Sequence, residues 1–163
     1  LADLQPCEAP LYLIAESIEK PGNLGSMLRS CDAAGVDAFI LCDAKTDIYN
    51  PNVVRSSVGT LFAVPVIEAG SEEAISLLQE RAIPIIGATP SGTRRYTDVD
   101  MRGGAALVVG TEQLGLTDLW LERADMAVSI PMKGHADSLN VASAATLLIY
   151  EVLRQRGGSC NPT

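Results

Sequence analysis

Glycines and polar side chains occur together in four segments of the sequence, each directly after a run of apolar residues. The segments are 16–25, 87–93, 110–116 and 130–140. Glycine allows tight turns and lets backbone N–H and C=O groups come close to a ligand. The neighbouring amides, hydroxyls and carboxylates supply hydrogen-bonding groups that hold a small polar molecule. The pattern is typical of a small-molecule site built from loops.

Taken one at a time, these side chains have structural explanations. Asn23 and Ser138 are both good candidates for helix N-caps. Arg29 has the default interpretation of a solvated surface arginine, and Glu112 that of a residue capping a turn after a strand. His135 is the single histidine of the chain, so no Ser-His-Asp arrangement is predicted. These polar residues nevertheless occur together after the apolar runs and are not scattered over helix faces, which favours one shared site.

Other classes of site are disfavoured by what the sequence lacks. The Gly-Asn-Leu-Gly turn at 22–25 is neither a G-x-G-x-x-G fingerprint nor a P-loop, which argues against a Rossmann-type nucleotide enzyme. None of the four cysteines forms a C-x-x-C pair, so we predict no metal site and a reducing cytoplasm. No apolar run approaches the ~20 residues that a membrane span needs, and no membrane association is expected.

Alternating strands and helices must position the four segments. Apolar runs at 11–17, 37–43, 63–69, 83–90, 105–112 and 126–132 predict strands, and 22–35, 50–62, 71–82 and 141–156 predict helices. Hydrophobic residues make up 47% of the chain but aromatic residues only 4%, as suits strands of Val, Ile, Leu and Ala buried on both faces. This order predicts an α/β fold with a mostly parallel sheet flanked by helices, whose ligands bind beyond the carboxyl ends of the strands.

Local signals predict where the helices begin and which faces they bury. Asn50 is the expected N-cap of the second helix, with Pro51 at its first position, and Ser71 carries a capping signature for the third. In the second helix, one apolar face is expected from Val54, Val58 and Leu61. In the last helix, the expected face comprises Val141, Ala145, Leu148 and Val152, widened by Ala142, Ile149 and Leu153, and Gly157-Gly158 ends the helix.

The 163 residues predict a single domain over 11–157, with loosely ordered ends at 1–10 and 158–163. The chain does not begin with Met, and 1–10 is interpreted as a linker or disordered tail. The formal net charge of −8 counts against binding nucleic acid through bulk charge, so any such affinity is expected to be weak and salt-sensitive.

Three segments carry a resemblance to a known family. "NLGSMLRSCDAAG", "LVVGTEQLGL" and "IPMKGHADSLNVASAATLLIYEVLRQR" resemble, in order and spacing, the signature motifs of the SpoU (TrmH) family of RNA ribose 2′-O-methyltransferases, in the SPOUT superfamily. The similarity covers nearly all of the chain from about Tyr12 to Arg156. Two departures stand in the second motif: Gln113 where glycine is common, and Thr111 where Asn or Ala is frequent.

The resemblance implies a deep trefoil knot at the C-terminal end and S-adenosylmethionine as the cofactor, with no metal. The cofactor-binding residues it implies are Thr89, Gly110, Ile130 and Leu139. The catalytic residues it implies are Arg29, Asn23, Glu112, Ser138 and Asn140. In the family Arg29 matches an essential arginine, and we interpret its role as phosphate contact and electrostatic stabilisation at least as readily as general base, since a guanidinium deprotonates only above ~pH 12.

The partners implied are an RNA substrate, either ribosomal or transfer RNA, and a second copy of the chain in a homodimer that shares the RNA site. The resemblance also implies a substrate-binding domain upstream of 1–10. Arg55 is interpreted as an exposed helix arginine in preference to a contact with RNA phosphate. The alternative is a non-catalytic RNA-binding or assembly protein that retains the knot fold. A housekeeping enzyme and an antibiotic-resistance methyltransferase fit the residues equally well.

Overall fold

A computed structural model describes residue 4 and residues 8–157. Seven parallel strands form one sheet in the order β3-β2-β1-β6-β4-β7-β5. The strands are β1 (Leu11–Glu16), β2 (Ala38–Cys42), β3 (Val66–Ala69), β4 (Ile85–Ala88), β5 (Arg94–Arg95), β6 (Ala105–Val109) and β7 (Met126–Ser129). The helices are α1 (Pro21–Ala34), α2 (Pro51–Ser57), α3 (Ser71–Glu80), α4 (Asp118–Arg123) and α5 (Val141–Gln155).

The central strands are buried on both faces, because helices cover both sides of the sheet. Every residue of β1, β2 and β6 is buried. Side chains of α1 and α5 pack in one hydrophobic cluster, and those of α3 and α4 pack in a second cluster on the other face. The predicted α/β architecture with a parallel sheet is confirmed. No helix in the described part of the chain is long and apolar enough to cross a membrane.

Two short elements, β5 and α4, were missed by the sequence interpretation. β5 has two residues, and α4 has six. Neither length spans enough of a two-residue or 3.6-residue period for a pattern to show. Both depend on tertiary contacts: Arg94 and Arg95 pair with β7, and Trp120 of α4 is fully buried.

The second helix is shorter than predicted. Asn50 does cap it, accepting a hydrogen bond from the backbone N–H of Asn52 at 2.9 Å. However, α2 ends at Ser57, and Val58 follows with a φ of +53° and 70% of its surface exposed. The predicted face through Val58 is therefore wrong, because the left-handed turn breaks the helical spacing. Leu61 is buried all the same, from a separate 3-10 turn.

The capping assignment for Ser71 is also wrong. Ser71 is the first residue inside α3, and Gly70 takes the N-cap position without a side-chain hydrogen bond. The Ser71 hydroxyl donates instead to the carboxylate of Asp43 at 2.5 Å and accepts from the indole N–H of Trp120 at 2.9 Å. A buried indole N–H needs an acceptor, and this tertiary demand outweighs the local capping signal.

The last helix is close to its prediction. Val141, Ala145, Leu148 and Val152 are buried with Ala142 and Ile149, and Leu153 is partly buried against the same core. Gly157 follows with a φ of +80°. The expectations for residues 1–3, 5–7 and 158–163, including Cys7, Cys160 and Gly158, lie outside the described residues. Leu4 is buried, and its carbonyl accepts a hydrogen bond from Arg81.

Candidate active site

The carboxyl ends of β4, β6 and β7 enclose a cavity with a volume of about 490 Å³. These three strands are neighbours in the sheet, so the loops that follow them meet at one edge. Thr89, Gly110, Ile130 and Leu139 all line the cavity, and so do Glu112 and Ser138. Its volume is in the range of pockets that take drug-sized ligands, roughly 300–1,000 Å³. The four predicted cofactor-binding residues therefore share one cavity.

A tight hairpin at 111–115 forms one wall of the cavity. The backbone N–H and C=O groups of Thr111 and Gly115 exchange hydrogen bonds at 3.0 and 2.9 Å. A Cβ atom on Gly110 would lie 2.2 Å from the carbonyl oxygen of Gly115. Gly110 is thus required by the close return of the hairpin, which is the tight-turn role that the sequence interpretation gave such glycines beside close approach to a ligand.

Glu16, at the end of β1, anchors the base of this hairpin. Its side chain is almost fully buried, at 2% exposure. The carboxylate accepts hydrogen bonds from the backbone N–H of Thr117 at 2.9 Å and from its hydroxyl at 2.7 Å. The sequence interpretation missed this contact. Its only signal was a glutamate at the end of an apolar strand, since the partner lies 101 residues away.

Three predicted catalytic residues form one cluster next to the cavity, and we call Asn23, Glu112 and Asn140 the amide–carboxylate cluster. Nδ2 of Asn23 donates to Oε1 of Glu112 at 2.5 Å. Nδ2 of Asn140 donates to the same oxygen and to Oδ1 of Asn23, both at 3.1 Å. The cluster joins the first turn of α1, the loop after β6 and the start of α5, from positions 89 and 117 residues apart along the chain.

Glu112 is ionised in this cluster. Hydrogen bonding from the Lys20 ammonium, followed by that from Asn23, lowers the pKa of Glu112 below its ordinary value, against the opposing effect of desolvation. Lys20 also forms an ion pair with Oε2 of Glu112. The sequence interpretation did not identify Lys20. A lysine one residue before a helix is commonly a solvated residue, and only the fold brings Glu112 to it.

Asn140 caps α5, whereas Ser138 does not cap it. Oδ1 of Asn140 accepts from the N–H groups of Ala142 and Ser143 at 3.0 and 3.4 Å. Ser138 lies exposed on the cavity wall two residues earlier. The N-cap explanation for Asn23 is wrong too, because α1 begins at Pro21 and Asn23 points to Glu112.

Arg29 does not join the amide–carboxylate cluster within one chain. It is exposed on α1, and its guanidinium makes no hydrogen bond or ion pair with a described residue. Gly25 of α1 packs against Ser56 of α2, and Ser30 bonds to Thr146 of α5 at 2.7 Å. Gly22, Ser26, Arg29 and Ala33 are all exposed at helical spacing, so α1 keeps an open face of small residues around Arg29.

Among the described residues, neither a metal-binding group nor a reactive thiol contributes to the cavity. Residue 4 and residues 8–157 contain no group of three His, Cys, Asp or Glu side chains that could hold a metal ion. Cys31 and Cys42 are free thiols in the core. Burial raises the pKa of each to about 12, so both stay protonated at neutral pH.

Comparison with known proteins finds a family match over residues 10–150, to the SpoU rRNA Methylase family. The chain is similar to a 23S rRNA (uridine(2479)-2′-O)-methyltransferase of Streptomyces viridochromogenes, with 39% identity over 83% of this chain and 50% of the relative. It is also similar to the 23S rRNA (guanosine(2553)-2′-O)-methyltransferase RlmP of Bacillus subtilis, with 34% identity over 86% and 56%. The chain thus spans about half the length of these curated relatives.

A solved structure shares the fold closely. It is the SpoU methyltransferase AviRb from Streptomyces viridochromogenes in complex with the cofactor AdoMet, with a TM-score of 0.91 and 36% identity. The match covers 96% of this chain and 61% of that one. A second neighbour, an RNA 2′-O ribose methyltransferase, has a TM-score of 0.87 and 42% identity over 93% of this chain and 58% of its own.

Proposed function

This chain belongs to the SpoU rRNA methylase family, and we propose that it transfers a methyl group from S-adenosylmethionine to the 2′-hydroxyl of an RNA ribose. The observation that carries the proposal is the amide–carboxylate cluster at the rim of a ligand-sized cavity. Both relatives described above are named for 23S ribosomal RNA, which favours ribosomal over transfer RNA as the substrate. Its place of action is then the cytoplasm.

The cavity fits S-adenosylmethionine by size and by lining. Thr89 offers a hydroxyl, Gly110 leaves room for the backbone, and Ile130 and Leu139 supply apolar surface. Backbone groups of Ile130 and Leu139 are available to bind an adenine edge. When bound, the cofactor supplies an activated methyl group on a sulfonium, so no metal is required for the transfer.

The protein's own residues have to orient the ribose and stabilise the oxygen as it loses its proton. Glu112 is anionic and exposes only 24% of its side chain, so its carboxylate accepts hydrogen bonds in a partly desolvated place. Asn23 and Asn140 hold it in a fixed orientation from two other elements. Such preorganised groups reduce the reorganisation that the reaction requires. The Ser138 hydroxyl, on the wall of the same cavity, is positioned to bind the ribose.

Arg29 acts at a site that two copies of the chain share in this proposal. Its open face on α1 carries small residues that let another helix approach closely, and no residue that the structure describes pairs with the guanidinium. On α5, Leu147 and Tyr150 lie outside the face that packs on the core and are 38% and 47% exposed. A homodimer covering these faces places Arg29 where it binds RNA phosphate and stabilises negative charge on the ribose oxygen.

The proposal includes a deep trefoil knot at the C-terminal end. Its support is the strand order β6-β4-β7-β5 at one side of the sheet. The connection from β4 to β5 has to pass the position of β7, and the connection from β6 to β7 has to pass that of β4. The two connections therefore cross each other, as they must in a knot. Most folds avoid such an arrangement, in which one segment of chain passes through a loop formed by another. A crystal structure traced through residue 157 tests it.

Calorimetry with S-adenosylmethionine, followed by methyl transfer to unmodified ribosomal RNA, tests the activity. We expect binding and incorporation of label at a ribose 2′-oxygen, and loss of incorporation in Glu112→Ala. Binding of RNA without cofactor binding or methyl transfer would favour the non-catalytic assembly protein. Light scattering tests the dimer. We expect Tyr150→Glu to give a monomer and Phe62→Lys, at a more exposed aromatic residue on the 3-10 turn after α2, to leave the dimer intact.

A further inference from the structure

A second, smaller cleft opens beside the cofactor cavity, with a volume of about 100 Å³. Residues 18–20 and Asn23 form one side of it, and residues 111–114 form the other. The same four hairpin residues also line the large cavity, so the hairpin separates two compartments. The assignment of the large cavity to a cofactor leaves this cleft without an occupant.

The cleft begins at the amide–carboxylate cluster. Asn23 and Glu112 belong to the cluster and also line the cleft. A ribose whose 2′-hydroxyl lies at Glu112 therefore has its neighbouring groups, the base and the phosphate, within reach of this space. Enzymes that act on one nucleotide commonly take its base out of the stack and into a pocket.

The size and walls of the cleft suit one flat ring. An apolar cavity of about 150 Å³ in another protein takes up benzene, so about 100 Å³ in an open cleft accommodates a single six-membered ring more readily than a fused pair. Ile18 supplies an apolar floor, and Leu114 projects from the hairpin tip with 88% of its surface exposed. Such an exposed leucine on a braced turn is well placed to cover the face of a base.

The polar groups of the cleft are placed to contact the edge of the ring. The Gln113 side chain makes no hydrogen bond with a described residue, and its amide offers donors and an acceptor together. The hairpin that carries it is held by the Thr111–Gly115 bridge and by a hydrogen bond from the N–H of Leu114 to the Thr111 hydroxyl at 3.1 Å. Lys20 uses part of its donor capacity on Glu112 and keeps N–H groups for a carbonyl oxygen.

We infer that this cleft binds the base of the target nucleotide, that the target is a pyrimidine, and that Gln113 hydrogen-bonds the edge of its ring. The inference rests on the proposed methyltransferase function and adds the class of nucleotide that it acts on. Gln113 hydrogen-bonds the N3 position and the exocyclic oxygen or amino group, while Leu114 packs on the ring.

Methylation of unmodified 23S ribosomal RNA, made by transcription in vitro and mapped at nucleotide resolution, tests the inference. We expect the methyl on a pyrimidine, and a loss of roughly tenfold or more in rate when a purine replaces it at that position. In Gln113→Ala the rate on the pyrimidine target should fall roughly tenfold to a hundredfold, as on loss of one bidentate contact, with S-adenosylmethionine affinity unchanged. Gln79→Ala, an exposed glutamine in α3, serves as the matched control and keeps the wild-type rate.

A methyl on a purine would overturn the inference, and so would an undiminished rate in Gln113→Ala. Weakened cofactor affinity in that variant would show that Gln113 acts on the cofactor side of the hairpin and would overturn its role in the cleft. Failure of the wild-type protein to methylate any RNA would refute the proposed function instead. In that event the NMR signal of the Gln113 side-chain amide decides the matter: a shift with uridine or cytidine monophosphate and none with guanosine monophosphate supports a pyrimidine cleft, and the absence of any shift contradicts it.

Discussion

Asn140 uses both ends of its side-chain amide. The oxygen accepts hydrogen bonds from the first N–H groups of α5, and the nitrogen donates to Asn23 and Glu112. The first role stabilises a helix, and the second positions the amide–carboxylate cluster. Serine retains an acceptor for capping but has no amide nitrogen to donate to Asn23 and Glu112, so this substitution can separate the two roles.

Asn140→Ala is expected to lower the free energy of unfolding by about 1 kcal/mol and to reduce methyl transfer. Asn140→Ser should recover most of the stability while transfer stays low, because only the cap is restored. Urea unfolding and single-turnover rates on each variant check both parts. Full activity in Asn140→Ser would show that the contact with Glu112 is dispensable.

Arg29→Ala should leave the melting temperature and S-adenosylmethionine affinity nearly unchanged, because the side chain is exposed and has no partner among the described residues. The rate of methyl transfer should fall by ~10²–10³, as on removal of one preorganised group directed at developing charge. Arg55→Ala, an exposed arginine of α2, is the comparison variant. Comparable losses in both variants would reduce Arg29 to a general RNA contact.

The hairpin after β6 is the element that both proposed ligands share. Gly110→Ala would force a Cβ atom against the backbone of Gly115, and this clash has no flexible side chain to absorb it. We expect a loss of roughly 2–3 kcal/mol in stability together with loss of cofactor binding. Gly103→Ala is the matched control, because a Cβ there meets nothing within 4 Å. Thermal unfolding with and without S-adenosylmethionine measures both effects.

The charge of Glu112 also affects the contacts that join α1, the hairpin after β6 and α5. Its folded-state pKa lies below the ordinary value, chiefly through Lys20, so the folded protein binds this proton less readily than the unfolded chain. Its contribution to stability is present above the ordinary glutamate pKa and is lost as the pH falls through the folded value. The contribution is modest because Lys20 is 70% exposed.

Glu112→Gln should therefore show a smaller loss of unfolding free energy between about pH 6 and pH 3 than the wild-type protein. Glu80→Gln, at the exposed end of α3, should retain the wild-type loss. Denaturant unfolding at a series of pH values makes the comparison. Parallel curves for wild type and Glu112→Gln would contradict a stabilising role for the ionised carboxylate.

At the scale of the whole molecule, charge limits RNA binding. The chain has 12 basic residues against 20 acidic ones, and five of the basic residues, Lys20, Arg81, Arg102, Arg154 and Arg156, already bind groups in the same chain. We expect weak RNA affinity, with a salt slope of about −0.7 for each phosphate neutralised. Fluorescence anisotropy with a short RNA between 50 and 200 mM salt measures it. Tight binding at physiological salt would show that the local arginines outweigh the net charge.

Much of the architecture follows from local patterns. Continuous apolar runs predict the buried strands, and Asn50-Pro51 and Gly157 mark helix ends that the structure confirms. The errors arise where a tertiary contact competes with a local preference. Ser71 bonds to a buried indole instead of capping its helix, and Val58 leaves the helical face in a left-handed turn.

For the site, the sequence by itself determined which residue types stand at the strand ends and, through three motifs, the family. Only the tertiary structure decided that Asn23, Glu112 and Asn140 touch, that Lys20 neutralises Glu112, and that Gln113 faces a second cleft. The physical reason is distance along the chain. Propensity and periodicity act over a few residues, whereas contacts between positions about 90 and 117 apart exist only once the parallel sheet has brought its carboxyl ends to one edge.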